Sequence, residues 1–344
     1  MTLTVKPLTD ASAPAWDAFV RARPDGTFFH LASWRTVIAA AFRHRTHYAF
    51  AERDGAITGV LPLAHVRTRL FGSTLISVPF CVYGGPLAAD AESAAALDAH
   101  ALALMRQTGA AAVEFRFRDA ADRPGWVPRP ALYETFRRPI EADAERNMKA
   151  IPRKQRAMVR KGIQNGLAST AGRDTRTLHH VYAQSVRNLG TPVFSRRYFA
   201  ILAETFGEDC DVVTVMDGEA PIAAVLNFYY RDEVLPYYGG GTEAARQRAG
   251  NDFMYWEVMR RAAARGCRLF DFGRSKIGTG AHAFKRNWGF EPAPLDYRYA
   301  LRPGAAIPDN SPLNPKFRLF VEGWKRLPLP VANAVGPFIV RGLG

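Results

Sequence analysis

Tyr238-Gly239-Gly240, then a helical run from about Asn251 to Ala264, then Gly266, then Leu269-Phe270-Asp271-Phe272: this pattern occurs in the chain twice. Its earlier copy is Tyr83-Gly84-Gly85, an Ala/Leu-rich run from about Ala91 to Gln107, Gly109 and Ala112-Val113-Glu114-Phe115-Arg116. In both copies an acidic residue follows the second glycine signal by five positions, as Glu114 and Asp271. The likeness continues upstream. Asp54-Gly55 separates Tyr48–Glu52 from Ile57–Leu63, and Asp217-Gly218 separates Val212–Met216 from Ile222–Phe228. Asp-Gly between short apolar runs is a hairpin signal. Each half therefore reads as hairpin, further strand, helix, strand. The copies lie 239 − 84 = 155 residues apart, far beyond the period of a solenoid repeat, which implies duplicated lobes.

That order resembles the α+β pattern of GNAT acetyltransferases. The resemblance implies two tandem GNAT-like (acyl-CoA N-acyltransferase-like) domains, each a mixed sheet flanked by helices. We place the first domain at residues 1–138, after the proline-bearing Arg123–Pro130 stretch and near Arg137-Arg138-Pro139, and the second at 139–300. Residues 301–344, with Pro308, Pro312, Pro315, Pro328 and Pro330, form a tail expected to pack back on the first domain.

GNAT enzymes hold the coenzyme A pyrophosphate on backbone N–H groups at a helix N-terminus, the ordinary anion site of a helix. The corresponding stretch here is Arg246-Gln247-Arg248-Ala249-Gly250-Asn251-Asp252. A carboxylate at Asp252 repels a pyrophosphate there and reads as an N-cap. The first lobe offers Leu87-Ala-Ala-Asp-Ala-Glu92, which is no better. Coenzyme A is disfavoured as donor.

The most informative stretch is Asp271-Phe272-Gly273-Arg274-Ser275-Lys276, followed through Gly278 and Gly280 by Phe284-Lys285-Arg286-Asn287-Trp288-Gly289-Phe290. A strand should end near Phe272, a basic glycine-bearing loop follow, and a short helix close at Gly289. Arg274, Lys276, Lys285 and Arg286 supply positive charge suited to a phosphate or a developing oxyanion. This stretch resembles the FemAB family of aminoacyl transferases, which carries Phe-Lys-x-x-aromatic-Gly after a Gly-containing loop. It is most similar to FemAB-related proteins of PEP-CTERM and exopolysaccharide systems, with their Asp-Phe-Gly-Arg-Ser-Lys and a tail like Trp324-Lys325-Arg326-Leu327-Pro328-Leu329 and Gly336-Pro337.

The resemblance implies a cytoplasmic enzyme that takes an aminoacyl group from aminoacyl-tRNA. The acceptor would be an amine of a diphosphate-bearing cell-envelope, peptidoglycan-type or exopolysaccharide precursor. It places Lys285 where the acyl group moves; Asp271, at the strand end, is our own candidate for helping a proton leave. The resemblance places Tyr238 and adjacent Tyr237 at the acceptor, with Arg197 and Tyr198 on a phosphate helix. Arg274, Lys276, Phe284 and Trp288 complete the expected substrate-binding set. No cofactor is implied.

Other features bound the reading. The 344 residues carry 46 Lys plus Arg and 32 Asp plus Glu, a net charge of +14. That points to a polyanionic partner: RNA, a phosphorylated precursor or an anionic membrane surface; DNA is not expected as a partner. Cys81, Cys210 and Cys267 form no Cys-x-x-Cys and read as buried thiols. His44 and His47 lack acidic companions, so no metal is assigned. We read no signal peptide and no span of ~18 apolar residues. Lys149–Lys161 reads as a basic helix, either a solvated face or a phosphate-binding one. The run Phe317–Ile339 reads as packing on the first lobe, or as peripheral contact with an anionic membrane at its inner face. His282 reads as a packing histidine, because no carboxylate is fixed near it by sequence.

No Gly-x-Ser-x-Gly elbow or Cys/His pair is present, so the chemistry expected is direct attack by an amine on an activated acyl ester. Two other readings stay open: an acyl-coenzyme A N-acyltransferase acting on an amino sugar, and a non-catalytic adaptor that binds RNA or a membrane surface.

Overall fold

The computed structural model describes residues 3–119, 122–129, 132–308 and 318–344; Pro130, Pro312, Pro315 and Phe317 lie outside them. The chain forms two compact units. The first comprises Met1–Leu132, Pro294–Asn310 and Arg341–Gly344, the second Tyr133–Ala293 and Ser311–Val340.

The first unit contains strands β1 (Leu3–Pro7), β2 (Arg45–Arg53), β3 (Ala56–Thr68), β4 (Gly72–Ser77), β5 (Leu87–Ala88), β6 (Ala112–Phe117) and β7 (Val127–Pro128). Its helices are α1 (Ala13–Ala22), α2 (Trp34–Phe42) and α3 (Ala91–Thr108). The β2–β3 hairpin turns on Asp54 and Gly55, whose φ values of 52° and 81° are those of a type I′ turn. β3 pairs antiparallel with β4, and β4 runs parallel to β6, with α3 as the crossover. The inner stripe of α3, Leu97, Ala101, Leu104 and Met105, packs on Leu61, Leu63, Leu75, Val113 and Phe115. Asp90 caps α3 by accepting from the Ser93 N–H.

The second unit repeats the plan. It contains β8 (Tyr133–Pro139), α4 (Ala144–Ala150), α5 (Arg153–Gln164), β9 (Ala168–Gly172), α6 (Thr175–Asn188), α7 (Arg196–Phe206), β10 (Cys210–Asp217), β11 (Ala220–Tyr230) and β12 (Glu233–Gly241). Then come α8 (Glu243–Gln247), α9 (Gly250–Ala264), β13 (Leu269–Lys276), α10 (Gly280–Asn287) and β14 (Pro292–Pro294). After β15 (Asp296–Leu301) the chain ends in α11 (Arg318–Arg326) and α12 (Leu329–Val340). β10 and β11 form the hairpin, with Gly218 at φ 61° as the first turn residue. β12 is antiparallel to β11 and parallel to β13 across α9. The sheet order is β14-β8-β13-β12-β11-β10-β9. Phe253, Met254, Trp256, Val258 and Met259 of α9 lie in its core with Phe270 and Phe272 of β13.

The units divide the chain differently from the expected 138/139 and 300/301 boundaries. β8 belongs whole to the second sheet, where it pairs antiparallel with β13. β15 belongs to the first, paired with β6 and β7. Arg137-Arg138-Pro139 is therefore strand and not linker, because its arginines find partners: Arg137 pairs with Glu233 at 2.5 Å, and Arg138 lies over the Phe290 ring. The tail is corrected too. α11 and α12 pack on α6 within the second unit, while the start of the tail, through Pro308, and its last residues, Arg341–Gly344, belong to the first. There the Arg341 carbonyl meets His44 Nε2, and the Gly344 carbonyl accepts from Arg116.

Candidate functional site

The second sheet opens at one place. β12 and β13 pair only at Glu233–Leu269 and Val234–Phe270, after which the two parallel strands part. Both carry a bulge just beyond. In β12, Leu226 of β11 faces Tyr238 and the next residue, Asn227, faces Pro236, so Tyr237 is the extra residue. In β13 the register against β8 slips between Asp271 and Arg274, at Phe272 and Gly273. Gly273 sits at φ 65°, a conformation that suits glycine.

Lys285 locks the second bulge. Its Nζ donates to the carbonyls of Phe272 (2.6 Å), Gly273 (3.1 Å) and Arg274 (3.0 Å). Three donors thus meet three acceptors. Burial pulls the Lys285 ammonium down to about 7, against the charge of nearby Asp271, which favours the cation, while Arg274 adds to the depression. Asp271, 1% exposed, works on the same bulge: Oδ1 accepts from the Gly273 N–H at 2.7 Å, and Oδ2 lies 3.2 Å from Arg137 Nε. Arg137 thus gives Asp271 a cationic partner from β8. Arg274 and Lys276 stand over the Tyr133 ring of β8, 4.5 Å and 5.7 Å from its centroid.

The Phe-Lys motif divides by role. α10 starts at the Thr279 cap and closes with Gly289 at φ 78°, as the sequence implied. Trp288 is fully buried, and its Nε1 donates to Asp252 Oδ1 at 3.0 Å. Phe284 packs on the core against Tyr255 and Trp288. Both aromatics were expected at the substrate; the structure places Trp288 in the core and leaves Phe284 half-buried at its edge, because the helix needs an apolar face to dock on α9. Asp252 is corrected as well. Ala249 occupies the N-cap of α9, and the Asp252 carboxylate turns into the first helical turn, where Gln155 Nε2 also donates to it at 2.9 Å. Burial raises its pKa, and the bonds from Trp288 and Gln155 oppose the rise. Tyr255, one turn on, stands where β12 and β13 part. A Cβ on Gly239 would lie 3.3 Å from its hydroxyl, and its ring is 4.8 Å from Phe272. Burial, and secondarily Asp252, push that hydroxyl up to about 12.

Tyr238 and Tyr198 donate one hydroxyl to the other at 2.8 Å in a buried cluster with Tyr182, Phe194 and Phe199. Tyr237, on the bulge, is only part-buried, and Arg197 on α7 is exposed. Sequence reasoning missed a second polar pair. His282 Nε2 lies 2.5 Å from Glu134 Oε2, and the His282 ring packs edge-on to Phe136. His282 is one helical turn before Lys285, and the Lys285 ammonium lies 5.5 Å from the same Phe136 ring. Glu134 and Tyr133 come from β8, 148 residues before His282 in the case of Glu134. No local spacing signals such a pair.

The first unit has an analogous opening. A cavity of about 360 Å³ lies at Gly84 and Gly85, lined also by His30, Asp90, Arg118 and Arg123. His30 is buried, held by Gly85 O at 2.8 Å and by Thr27, and burial lowers its pKa to about 4.

Comparison with known proteins supports this architecture. Residues 145–286 match the family model described as acetyltransferase (GNAT) domain. No curated protein matches the chain. Among solved structures, the crystal structure of FemX superposes with a TM-score of 0.69 at 14% identity, over 92% of this chain and 100% of FemX. The C-terminal domain of a putative lysylphosphatidylglycerol synthetase from Agrobacterium fabrum gives 0.56 at 12% identity, over 84% and 91%. A tandem GNAT protein from the clavulanic acid biosynthesis pathway gives 0.55 at 15% identity, over 90% and 100%. The chain has the tandem GNAT-like fold, an acyltransferase fold, with mixed sheets and flanking helices.

Proposed function

We propose that this chain is a FemAB-like N-acyltransferase that moves an aminoacyl group from aminoacyl-tRNA to an amine of a cell-envelope or exopolysaccharide precursor on the cytoplasmic side. The observation that carries the donor assignment is the first turn of α9. In a coenzyme A enzyme that turn binds a pyrophosphate; here it holds the Asp252 carboxylate, fixed by Trp288 and Gln155, with Tyr255 in the opening behind it. The two-lobed likeness to FemX and to a lysylphosphatidylglycerol synthetase domain agrees with this reading.

The acceptor amine attacks the ester carbonyl. A C–N bond forms, the C–O bond to the tRNA ribose breaks, and the amine proton leaves with the ribose oxygen as its final acceptor. Catalysis then rests on placement and charge. Arg274 and Lys276 over Tyr133 offer a cationic surface to the phosphates. The exposed Arg197 and the bulged Tyr237 face the acceptor, with Tyr238 and Tyr198 as their support. Lys285 and Asp271 hold the β13 bulge from two sides. With its pKa near 7, Lys285 can also take up and return the proton at neutral pH.

The test compares envelope precursors and polysaccharide by mass spectrometry in cells with the wild-type gene, without it, and with Lys285→Ala. We expect an aminoacyl mass increment only with the wild type; its retention in Lys285→Ala sinks the assignment. A second reading, acyl transfer from coenzyme A, draws on the cavity at Gly84 and Gly85 in the first unit. Coenzyme A that raises the Tm of the purified protein, with charged tRNA leaving it unchanged, would favour that reading.

A further inference from the structure

α12 contains no charged residue: Leu329-Pro-Val-Ala-Asn-Ala-Val-Gly-Pro-Phe-Ile-Val340. Its inner face is Ala332, Gly336 and Val340, which are buried. Its outer face, at the i, i+3, i+4, i+7 spacing of one helix stripe, is Val331, Ala334, Val335 and Phe338. Phe338 is 74% exposed, Val331 44% and Val335 42%. The preceding helix, α11, adds Leu319 at 87% and Phe320 at 40%. These helices are seated firmly, so the outward apolar face is not the product of loose docking. A Cβ on Gly336 would stand 2.9 Å from Val193 N, and one on Gly190 would stand 2.5 Å from Val321 Cγ1. Trp324 is buried, and Leu329 packs with Val186 and Val193. Glycine at both contacts lets helix and loop backbone meet closely, which fixes which face of α12 points away.

We infer that α11 and α12 form a membrane-docking element that lies in the headgroup region of an anionic bilayer. Helix length argues against spanning: 12 residues reach ~18 Å, against a hydrocarbon thickness of ~30 Å. Among the described residues no helix is long and apolar enough to cross. A short helix with an apolar outer face and cations at its approach is the pattern of an interfacial element, whose face sinks ~5–10 Å into the boundary. The cations are Arg318, Lys325 and Arg326 of α11, against the single acid Glu322, on a chain of net charge +14. That charge complements anionic lipid headgroups. It disfavours a second copy of this chain as the occupant, since the copy brings the same positive surface.

The inference does not depend on acyl transfer, and its test reads lipid binding directly. The purified chain is sedimented with vesicles of phosphatidylcholine alone and of phosphatidylcholine with phosphatidylglycerol. We expect binding to the anionic vesicles and little to the neutral ones. The double variant Val335→Asp/Phe338→Asp should lose binding by at least tenfold while keeping its circular dichroism and melting transition. Arg326→Glu should weaken only the preference for anionic lipid. As a second measurement, Phe338→Cys carrying an environment-sensitive fluorophore should shift to the blue on anionic vesicles. Wild type that stays in the supernatant overturns the inference, as does a folded double variant that sediments unchanged. A solution dimer that the double variant dissociates also overturns it, by making the face a protein contact. Should the double variant unfold, an unshifted fluorophore decides against the inference.

Discussion

Lys285 shows how a residue singled out by its motif can acquire a different job once its surroundings are seen. Its three protons are directed to three backbone carbonyls of β13, so as an ammonium it shapes the strand before it meets any substrate. Burial also sets its titration. Its ordinary pKa of 10.5 falls to about 7 in the folded chain. The folded-state value is depressed for a basic group, so below pH 7 both states carry the proton and the burial penalty is fully present. From pH 7 upward the unfolded chain holds a proton the folded chain has released, and stability rises across that window. Lys285→Arg keeps a cation on the bulge but cannot release it. Urea unfolding of both proteins at pH 7 and pH 9 should therefore show the wild type gaining on the variant as pH rises. If Lys285 also relays the proton, transfer by the wild type should climb through pH 7 and that limb should vanish in Lys285→Arg. A limb preserved in the variant assigns the proton to a group other than Lys285.

Among the elements, the hairpins and the two crossover helices were legible because their signals are local, whereas the basic run Lys149–Lys161, read as one helix, breaks at Ile151-Pro152 between α4 and α5. Asp54-Gly55 makes the turn it announces, α3 and α9 begin and end within a residue or two of the expected limits, and Gly289 closes α10. The bulges were not legible. Tyr237 and Tyr238 look like simple alternation, and only the pairing of β11 with β12 shows that Tyr237 is extra. Gly273 looks like a loop glycine, yet it lies inside β13. Its role can be measured. At φ 65° an alanine is strained by at least ~1 kcal/mol, and relaxing the strain would move the carbonyls that Lys285 binds. Gly273→Ala should lower Tm modestly and lower turnover more than that loss of stability explains, because the three acceptors no longer converge. Near-wild-type turnover at reduced Tm would mean that the bulge serves the fold alone.

At the scale of the whole molecule the duplication was readable and the strand exchange was not. Each lobe announces its own hairpin, helix and parallel strand, but the strand that completes each sheet comes from elsewhere in the chain: β8 precedes the second lobe's repeat, and β15 follows it. Pairings over such separations leave no periodic trace, which is why both domain limits shifted and why Glu134 was not connected to His282. Charge was legible as a total and is now resolved in space. α5 carries Arg153, Lys154, Arg156, Arg160 and Lys161 with no acidic residue, and buries only Gln155, Val159 and Gly162. Arg153, Arg156 and Arg160 line an open groove with Ala157 and Gln164. A row of arginines at this spacing fits successive phosphates of an RNA backbone. Each phosphate contact contributes ~0.7–0.9 to the slope of log affinity against log salt. Replacing all three arginines with glutamine should therefore reduce that slope by roughly 2–3 for tRNA, measured by fluorescence anisotropy from low to moderate salt. The melting transition should change little, since Arg153 and Arg160 are exposed and Arg156 gives up a single bond to the Lys149 carbonyl. A slope equal to that of the wild type would remove α5 from the RNA surface and leave its charge as a solvated face.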